Sequence, residues 1–181
     1  MAQAPVAKQK QRVRLYVATS ADGFIADGAG SVAWLQSFDG RSYGYDTFMA
    51  EIGAVILGRR TYEQTLTFGP WPYKGQRSFV LTSSRVGELP AGTEIARGGL
   101  KGALEAARGA TDRDIWVVGG RQVMAAALES GAVDVIDQFV IPVLLGSGIP
   151  LFGVLSRRFK LRLEQHTVFP DGVVRLCYNP A

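Results

Sequence analysis

Short apolar runs alternate with amphipathic segments along most of the chain. The run 54–57 is apolar on both faces and ends at Gly58, which is typical of a strand buried between two layers. Similar runs predict strands at 13–19, 24–26, 78–82, 94–96, 115–118 and 133–145, and apolar residues at helical spacing predict helices over 42–52, 62–66, 100–108 and 123–129. Thr61 is placed to cap the second of these helices.

The end of the chain has a different pattern. Segments 161–169 and 173–178 flank the turn sequence Asp171-Gly172, which predicts a β-hairpin. Because the preceding strands alternate with helices, the fold class is α/β, with a mostly parallel central sheet and an antiparallel C-terminal hairpin. We expect a single domain over 13–181, preceded by a disordered tail over 1–12.

Composition limits the kinds of site that the chain can hold. The 181 residues are 47% hydrophobic and 20% charged, as expected for one globular domain. Cys177 is the single cysteine and His166 the single histidine, so an internal disulfide is excluded and a Cys/His zinc site lacks ligands. We therefore predict no metal site.

The net charge of +4 is compatible with nucleic acid or with small anions. The basic clusters at 8–14 and 157–162 are not interleaved with stacking aromatic residues, so we expect no nucleic-acid partner. No apolar run approaches the roughly 20 residues that span a bilayer, and the N-terminus lacks an apolar leader core. We expect a cytoplasmic protein without a membrane partner.

Three predicted strand ends carry groups that favour anions. They are 58–61 (Gly-Arg-Arg-Thr), 82–85 (Thr-Ser-Ser-Arg) and 119–122 (Gly-Gly-Arg-Gln). Glycine permits close approach of a phosphate, amides at a helix start bind it, and arginine adds a forked cationic donor. Since strand ends meet at one edge of a parallel sheet, they predict an extended phosphorylated ligand such as a dinucleotide. The alternative is that Gly58 only makes a turn beside solvated arginines.

The same motifs carry a resemblance. Val55-Ile56-Leu57-Gly58-Arg59-Arg60-Thr61-Tyr62, Val80-Leu81-Thr82-Ser83-Ser84, Val117-Val118-Gly119-Gly120 and Ile141-Pro142-Val143-Leu144-Leu145-Gly146 occur in an order that resembles the dihydrofolate reductase superfamily. Over 14–178 the chain is similar to stand-alone members of the branch that shares the reductase domain of the bifunctional riboflavin-biosynthesis deaminase/reductase. The resemblance implies a three-layer reductase domain that uses NADPH. It also implies a homodimer, with 139–145 and the hairpin as the candidate interface.

The resemblance further implies which residues bind the cofactor. They are Gly58, Arg59, Arg60 and Thr61 for the pyrophosphate and adenosine 2′-phosphate, Thr82, Ser83, Ser84 and Arg85 for the adenosine side, Gly119, Gly120, Arg121, Gln122 and Val123 for the pyrophosphate and nicotinamide ribose, and Ala18, Ile25 and Trp34 for the nicotinamide. For Trp34, a role as a core or loop-anchoring aromatic is the alternative.

The sequence departs from the riboflavin reductases where they bind their substrate. Those enzymes have an acidic residue before the diglycine and an Asp-Asp-Pro segment, where this chain has Val118 and the loop 65–73. We therefore expect reduction of a C=N or C=O in a pterin-like, pyrimidine-like or other conjugated heterocycle. The riboflavin-pathway ribosylaminouracil phosphate and a dinucleotide-binding protein without turnover are the alternatives.

Dihydrofolate reductases place a carboxylate on the first helix, which makes Asp46 the candidate catalytic acid. By the same resemblance Asp46, Phe48 and Met49 are the candidate substrate contacts, and Asp22 is a second catalytic candidate. A working acid needs a raised pKa, so Asp46 is expected to be desolvated under the loop 71–73. The alternatives are an exposed helix charge for Asp46 and a turn-forming role for Asp22.

Overall fold

The computed structural model describes residues 11–38 and 40–181. Within these ranges the strands are β1 (Val13–Ser20), β2 (Phe24–Ala26), β3 (Ile52–Gly58), β4 (Arg77–Leu81), β5 (Thr93–Ala96), β6 (Asp114–Gly119), β7 (Val135–Ile141), β8 (Ile149–Pro150), β9 (Leu161–Val168) and β10 (Val174–Pro180). The helices are α1 (Tyr45–Glu51), α2 (Arg59–Thr67), α3 (Gly99–Ala110) and α4 (Arg121–Glu129), with short 3₁₀ turns at Ala33–Leu35 and Gly40–Tyr43.

Eight of these strands form one sheet in the order β5-β4-β3-β6-β1-β7-β10-β9. The first six are mutually parallel, whereas β10 runs antiparallel to both β7 and β9. β2 and β8 form a separate small antiparallel pair. The predicted α/β fold with an antiparallel C-terminal hairpin is confirmed.

Helices cover both faces of the sheet, which gives three layers. Successive residues of β1 point to opposite faces of the sheet, so alternate side chains of this strand pack against different layers. Val13 and Leu15 join the core under α3 and α4. The side chain of Arg14 instead lies over the Phe48 ring of α1 at 4.7 Å, and Tyr16 packs on the same side. The sheet therefore separates a core under α3 and α4 from an aromatic core under α1 and α2.

Three element boundaries differ from the sequence predictions. The helix after β3 begins at Arg59 and Gly58 is its N-cap, so Thr61 lies inside the first turn and does not cap it. β7 ends at Ile141, because Pro142 has no N–H to continue the ladder, and the predicted strand to residue 145 was too long. Gly44 has φ +86° and separates a 3₁₀ turn from α1, where one helix over 42–52 was predicted.

Part of the predicted N-terminal tail, residues 1–10, lies outside the described residues. Gln11 and Arg12 are described and contact the domain. The Arg12 guanidinium lies 2.7 Å from Asp114 Oδ2, and the Gln11 side-chain amide donates to the carbonyl of Arg108 at 3.2 Å. No helix among the described residues is long and apolar enough to cross a membrane.

Candidate active site

The carboxyl edge of the central strands opens into a cleft of about 1220 Å³. Small-molecule sites usually occupy about 300 to 1,000 Å³, so an extended ligand is the natural occupant. The structure brings these predicted cofactor residues to its wall: Ala18, Ile25, Gly58, Arg59, Arg60, Thr61, Thr82, Ser83, Ser84, Gly120, Arg121, Gln122 and Val123. Trp34, Arg85 and Gly119 are not part of the wall. The sequence-distant strand ends therefore converge on one site.

The starts of α2 and α4 touch each other at this edge. A Cβ atom at Gly58 would lie 3.0 Å from Val123 Cγ2, and one at Gly120 would lie 3.1 Å from Thr61 Oγ1. Gly119 adopts φ +140°, which favours glycine, and is joined to Gly120 by a cis peptide bond. Glycine at these positions lets the main chain of both helix starts lie at the surface of the cleft.

This part of the cleft is suited to anions. Neither α2 nor α4 has a side-chain cap, so amides of their first turns are available to a ligand, with the exception of the Val123 amide, which donates to the Gly120 carbonyl at 3.0 Å. Arg59 and Arg60 are exposed beside them. Arg59 Nη1 lies 3.4 Å from Glu63 Oε1, but both side chains are about half exposed and the pair is weak. The guanidinium groups can therefore pair with phosphate.

The strand order arranges the lining groups in a row. Moving along the sheet edge from β4 to β3, β6 and β1, the lining changes from hydroxyl groups at 82–84 to arginines and then to apolar side chains. Neighbouring strands lie about 4.8 Å apart, so β4 and β1 are separated by roughly 14 Å. The cleft therefore has a polar, cationic end and an apolar end.

The apolar end adjoins β1. Its described lining residues are Tyr16, Ala18, Ile25, Val32, Leu35 and Val118. No Asp, Glu or His occurs among the described residues that line the whole cleft. This end can orient a flat ring and exclude water, but it offers no carboxylate or imidazole for proton transfer.

Tyr16 is a lining residue that the sequence analysis missed. Its ring stacks on Phe48 at a centroid distance of 4.1 Å and packs against Phe139 at 4.6 Å. Its hydroxyl donates to the carbonyl oxygen of Tyr43 at 3.5 Å. Burial raises the pKa of Tyr16, so the phenol stays protonated at neutral pH. Strand alternation was the available signal, because Tyr16 shares a face with Ala18.

The loop 27–31 closes one side of the cleft. The Asp27 carboxylate accepts hydrogen bonds from the backbone N–H groups of Ala29 and Ser31, both at 2.9 Å. Gln64 Nε2 of α2 donates to the carbonyl of Gly30 at 2.8 Å. This bond fixes the loop to the opposite wall, a feature that the sequence did not indicate.

Asp46 does not reach the cleft. α1 turns Phe48 toward the sheet, which leaves Asp46, two residues earlier, exposed on the other side of the helix. The expected desolvation under the loop 71–73 was wrong, because Trp71 and Tyr73 are buried against the sheet and not over Asp46. The catalytic role of Asp46 stays a prediction that the geometry does not favour.

The other substrate candidates on α1 also lie away from the cleft wall. Phe48 is buried beneath Tyr16, and Met49 packs against the same aromatic core. Neither residue lines the cleft, so their contacts with a substrate stay predictions.

Asp22 holds two loops together. Its carboxylate accepts hydrogen bonds from Ser20 Oγ at 2.6 Å and from the backbone N–H groups of Leu145 and Gly146 at 3.2 and 2.7 Å. The Ser20 hydroxyl, and after it the two amides, hold the pKa of Asp22 below its ordinary value. An ionised carboxylate is a poor proton donor, so the geometry favours the turn-forming alternative.

Trp34 packs beside the apolar cluster of Tyr43, Phe139, Ile141 and Val173. It lies in the 3₁₀ turn Ala33–Leu35, whose next residue, Leu35, lines the cleft. This position favours the loop-anchoring alternative over direct contact with a nicotinamide.

Comparison with known proteins identifies relatives along the whole chain. "Uncharacterized protein YwjB" of Bacillus subtilis (strain 168) is 34% identical over 166 residues, covering 91% of this chain and 95% of that protein. A structure from Shewanella sp. PV-4, whose name assigns it provisionally to riboflavin biosynthesis, has a TM-score of 0.81 and 27% identity, covering 94% of this chain and 99% of that one.

The diaminohydroxyphosphoribosylaminopyrimidine deaminase/5-amino-6-(5-phosphoribosylamino)uracil reductase of Thermotoga maritima has the same fold. Its TM-score is 0.72 at 21% identity, and the match covers 97% of this chain but 58% of that one. The sequence model of the RibD C-terminal domain matches residues 11–175. The chain therefore belongs to the RibD C-terminal domain family.

Proposed function

We propose that this protein is an NADPH-dependent oxidoreductase that reduces a C=N or C=O bond of a pterin-like, pyrimidine-like or other conjugated heterocycle. One observation carries the proposal: three strand ends that carry glycines, arginines or hydroxyl groups line a single cleft beside an apolar wall. Membership of a family named for a riboflavin-biosynthesis reductase domain supports the reaction class.

The cationic end of the cleft fits the phosphates of NADPH. The free amides at the starts of α2 and α4 would hold the pyrophosphate, and the glycines at 58 and 120 leave the space that it needs. Arg59 and Arg60 would pair with the 2′-phosphate, which NADH lacks. The hydroxyls at 82–84 would contact the adenosine side.

When bound, NADPH supplies a hydride to the electrophilic carbon, and the nitrogen or oxygen of the reduced bond takes up a proton. Ala18, Ile25 and Val118 provide the apolar wall that orients flat rings and excludes water. Because the described lining lacks a carboxylate or imidazole, the proton comes from water or from the Tyr16 hydroxyl.

A cofactor titration tests the proposal. We expect wild-type protein to bind NADPH more tightly than NADH, as measured by calorimetry. Arg59→Ala and Arg60→Ala should each weaken NADPH binding by about tenfold or more, the usual worth of a charge-assisted hydrogen bond, with little effect on NADH. Arg108→Ala, near the C-terminal end of α3, is the matched control. Equal affinity for both cofactors would contradict the assigned 2′-phosphate contact.

A dinucleotide-binding protein without turnover is the second candidate. The lack of Asp, Glu and His among the described lining residues favours it. NADPH oxidation is measured with dihydrofolate, dihydropterins and ribosylaminouracil phosphate as acceptors. Turnover with any of these acceptors supports the reductase. Tight NADPH binding with no NADPH oxidation by any acceptor supports the binding protein.

A further inference from the structure

Building on the reductase function proposed above, we propose that the acceptor is a flat heterocycle with no charged group on its ring, and that Tyr16 binds it. The Tyr16 hydroxyl donates a hydrogen bond to a carbonyl oxygen or ring nitrogen of this acceptor. The strand order, the placement of charge and the packing of Tyr16 carry the proposal.

Charge is confined to one part of the cleft. Among its described lining residues the charged side chains are Arg59, Arg60 and Arg121. Arg59 and Arg60 follow β3, which is separated from β1 by β6. Arg121 follows β6, the strand next to β1, but its side chain packs beside Gly153, where its Cδ is 3.0 Å from the position that a Gly153 Cβ would occupy. Arg59 and Arg60 are therefore placed for the cofactor phosphates and not for a ring held against β1, and the Arg121 side chain is held at Gly153.

The described residues of the wall beside β1 include no charged side chain that could pair with a charged ring. Val32, Leu35 and Val118 are aliphatic and line this end together with Ala18. Placing an ion against apolar side chains without an opposite charge removes its hydration at a high cost in free energy. A neutral conjugated ring is instead stabilised when its faces are buried. The wall therefore selects against a carboxylate or phosphate attached directly to the ring.

Tyr16 is the hydrogen-bonding side chain among the described lining residues at this end. It belongs to β1, an interior strand of the sheet, yet it is only partly buried and lines the cleft. Its bond to the Tyr43 carbonyl is 3.5 Å long, at the outer limit for a hydrogen bond, so the hydroxyl is free to exchange this partner for a ligand. Phe48 and Phe139 hold the ring in place.

Matched pairs of ring compounds test the effect of charge. Calorimetry on the full chain saturated with NADP⁺ compares 6-methylpterin with pterin-6-carboxylate, and 6-methyluracil with orotate. We expect the neutral member of at least one pair to bind about tenfold more tightly, because the charged member must be desolvated without a partner. Stronger or equal binding of the charged members, or no binding of either neutral ring, would overturn the proposal.

Tyr16→Phe tests the hydrogen bond. It should weaken binding of the neutral ring by about fivefold and leave the affinity for NADP⁺ unchanged. Tyr45→Phe is the matched control, since Tyr45 packs against Tyr16 at 6.1 Å but does not line the cleft. Equal effects of the two substitutions would overturn the role of Tyr16 while NADP⁺ binding still supports the reductase. Failure of the wild type to bind NADP⁺ would overturn both.

Discussion

Gly58 is required by the close approach of two helix starts. Its φ of −76° is accessible to any residue, so the restriction comes from Val123 and not from the backbone. Gly58→Ala should lower the free energy of unfolding by about 1 to 3 kcal/mol, as overpacking does, and weaken NADPH binding. Urea denaturation and cofactor titration measure the two effects.

Gly75→Ala is the control for this substitution, because a Cβ atom at Gly75 meets no atom within 4 Å. Similar losses of stability and cofactor affinity in the two variants would show that contact between the helix starts does not restrict the side chain at residue 58.

Asp22 should make stability depend on pH. Its lowered pKa means that the ionised form is favoured by folding, so the stabilisation is present above the unfolded pKa of about 3.9 and is lost as pH falls through the lower folded value. Asp22→Asn should therefore lower the melting temperature at pH 7, and the difference from wild type should narrow toward pH 2. A difference that is constant with pH would contradict the role of the charge.

At the scale of elements, a buried ionic cluster joins β1, β7 and β10. Asp137 is fully buried, and its carboxylate lies 3.0 Å from Arg14 Nη2 and 2.6 Å from Arg175 Nη2. Removing one member of such a cluster leaves buried charge without a partner. Asp137→Asn should cost roughly 3 kcal/mol in the free energy of unfolding, measured in urea.

The exposed pair of Arg77 and Glu94 joins β4 and β5 and provides the comparison. Its atoms are 2.7 Å apart, but both side chains are about half exposed. Glu94→Gln should cost no more than about 1 kcal/mol. If the two substitutions were equally costly, burial of the cluster around Asp137 would not determine its contribution.

Local sequence patterns predicted the helices and strands well, but they did not predict every strand end or which strands are adjacent in the sheet. The run 54–57 and the Asp171-Gly172 turn each contain their own signal, and both predictions are confirmed. The end of β7 at Ile141 was missed because apolar residues continue past Pro142. The position of β6 between β3 and β1 depends on long-range packing, which a local pattern does not contain.

The site shows the same division. Arginines and glycines at strand ends could be identified because their chemistry is unusual there. Tyr16 was missed because an aromatic residue in an apolar strand resembles core. The stripe of Tyr45, Phe48, Met49 and Ile52 already placed Asp46 outside the apolar face of α1, roughly 110° from its centre, so its exposure could have been derived from helical geometry.

At the scale of the whole molecule, the edge strand β9 leaves apolar side chains uncovered. Leu161, Leu163 and Val168 are 40%, 48% and 67% exposed. An exposed apolar edge strand favours association, so we expect a second copy of the chain to cover the hairpin. Light scattering should give a molar mass twice that of one chain, and Leu163→Lys should lower this mass toward that of the monomer. Val154→Lys, at a residue that is 98% exposed outside the hairpin, should not. A monomeric wild type would contradict this expectation.

The strand order also determines when the cleft is assembled during synthesis. β1, β3 and β4 leave the ribosome before β6, but β6 is the spacer that holds β3 and β1 at the correct separation. A truncated chain that ends at residue 113 would contain most of the cationic groups and the Tyr16 end with nothing to align them. On the proposed function, cofactor affinity therefore requires a sheet assembled as far as β6, and it reports completion of folding more directly than the content of helix or strand.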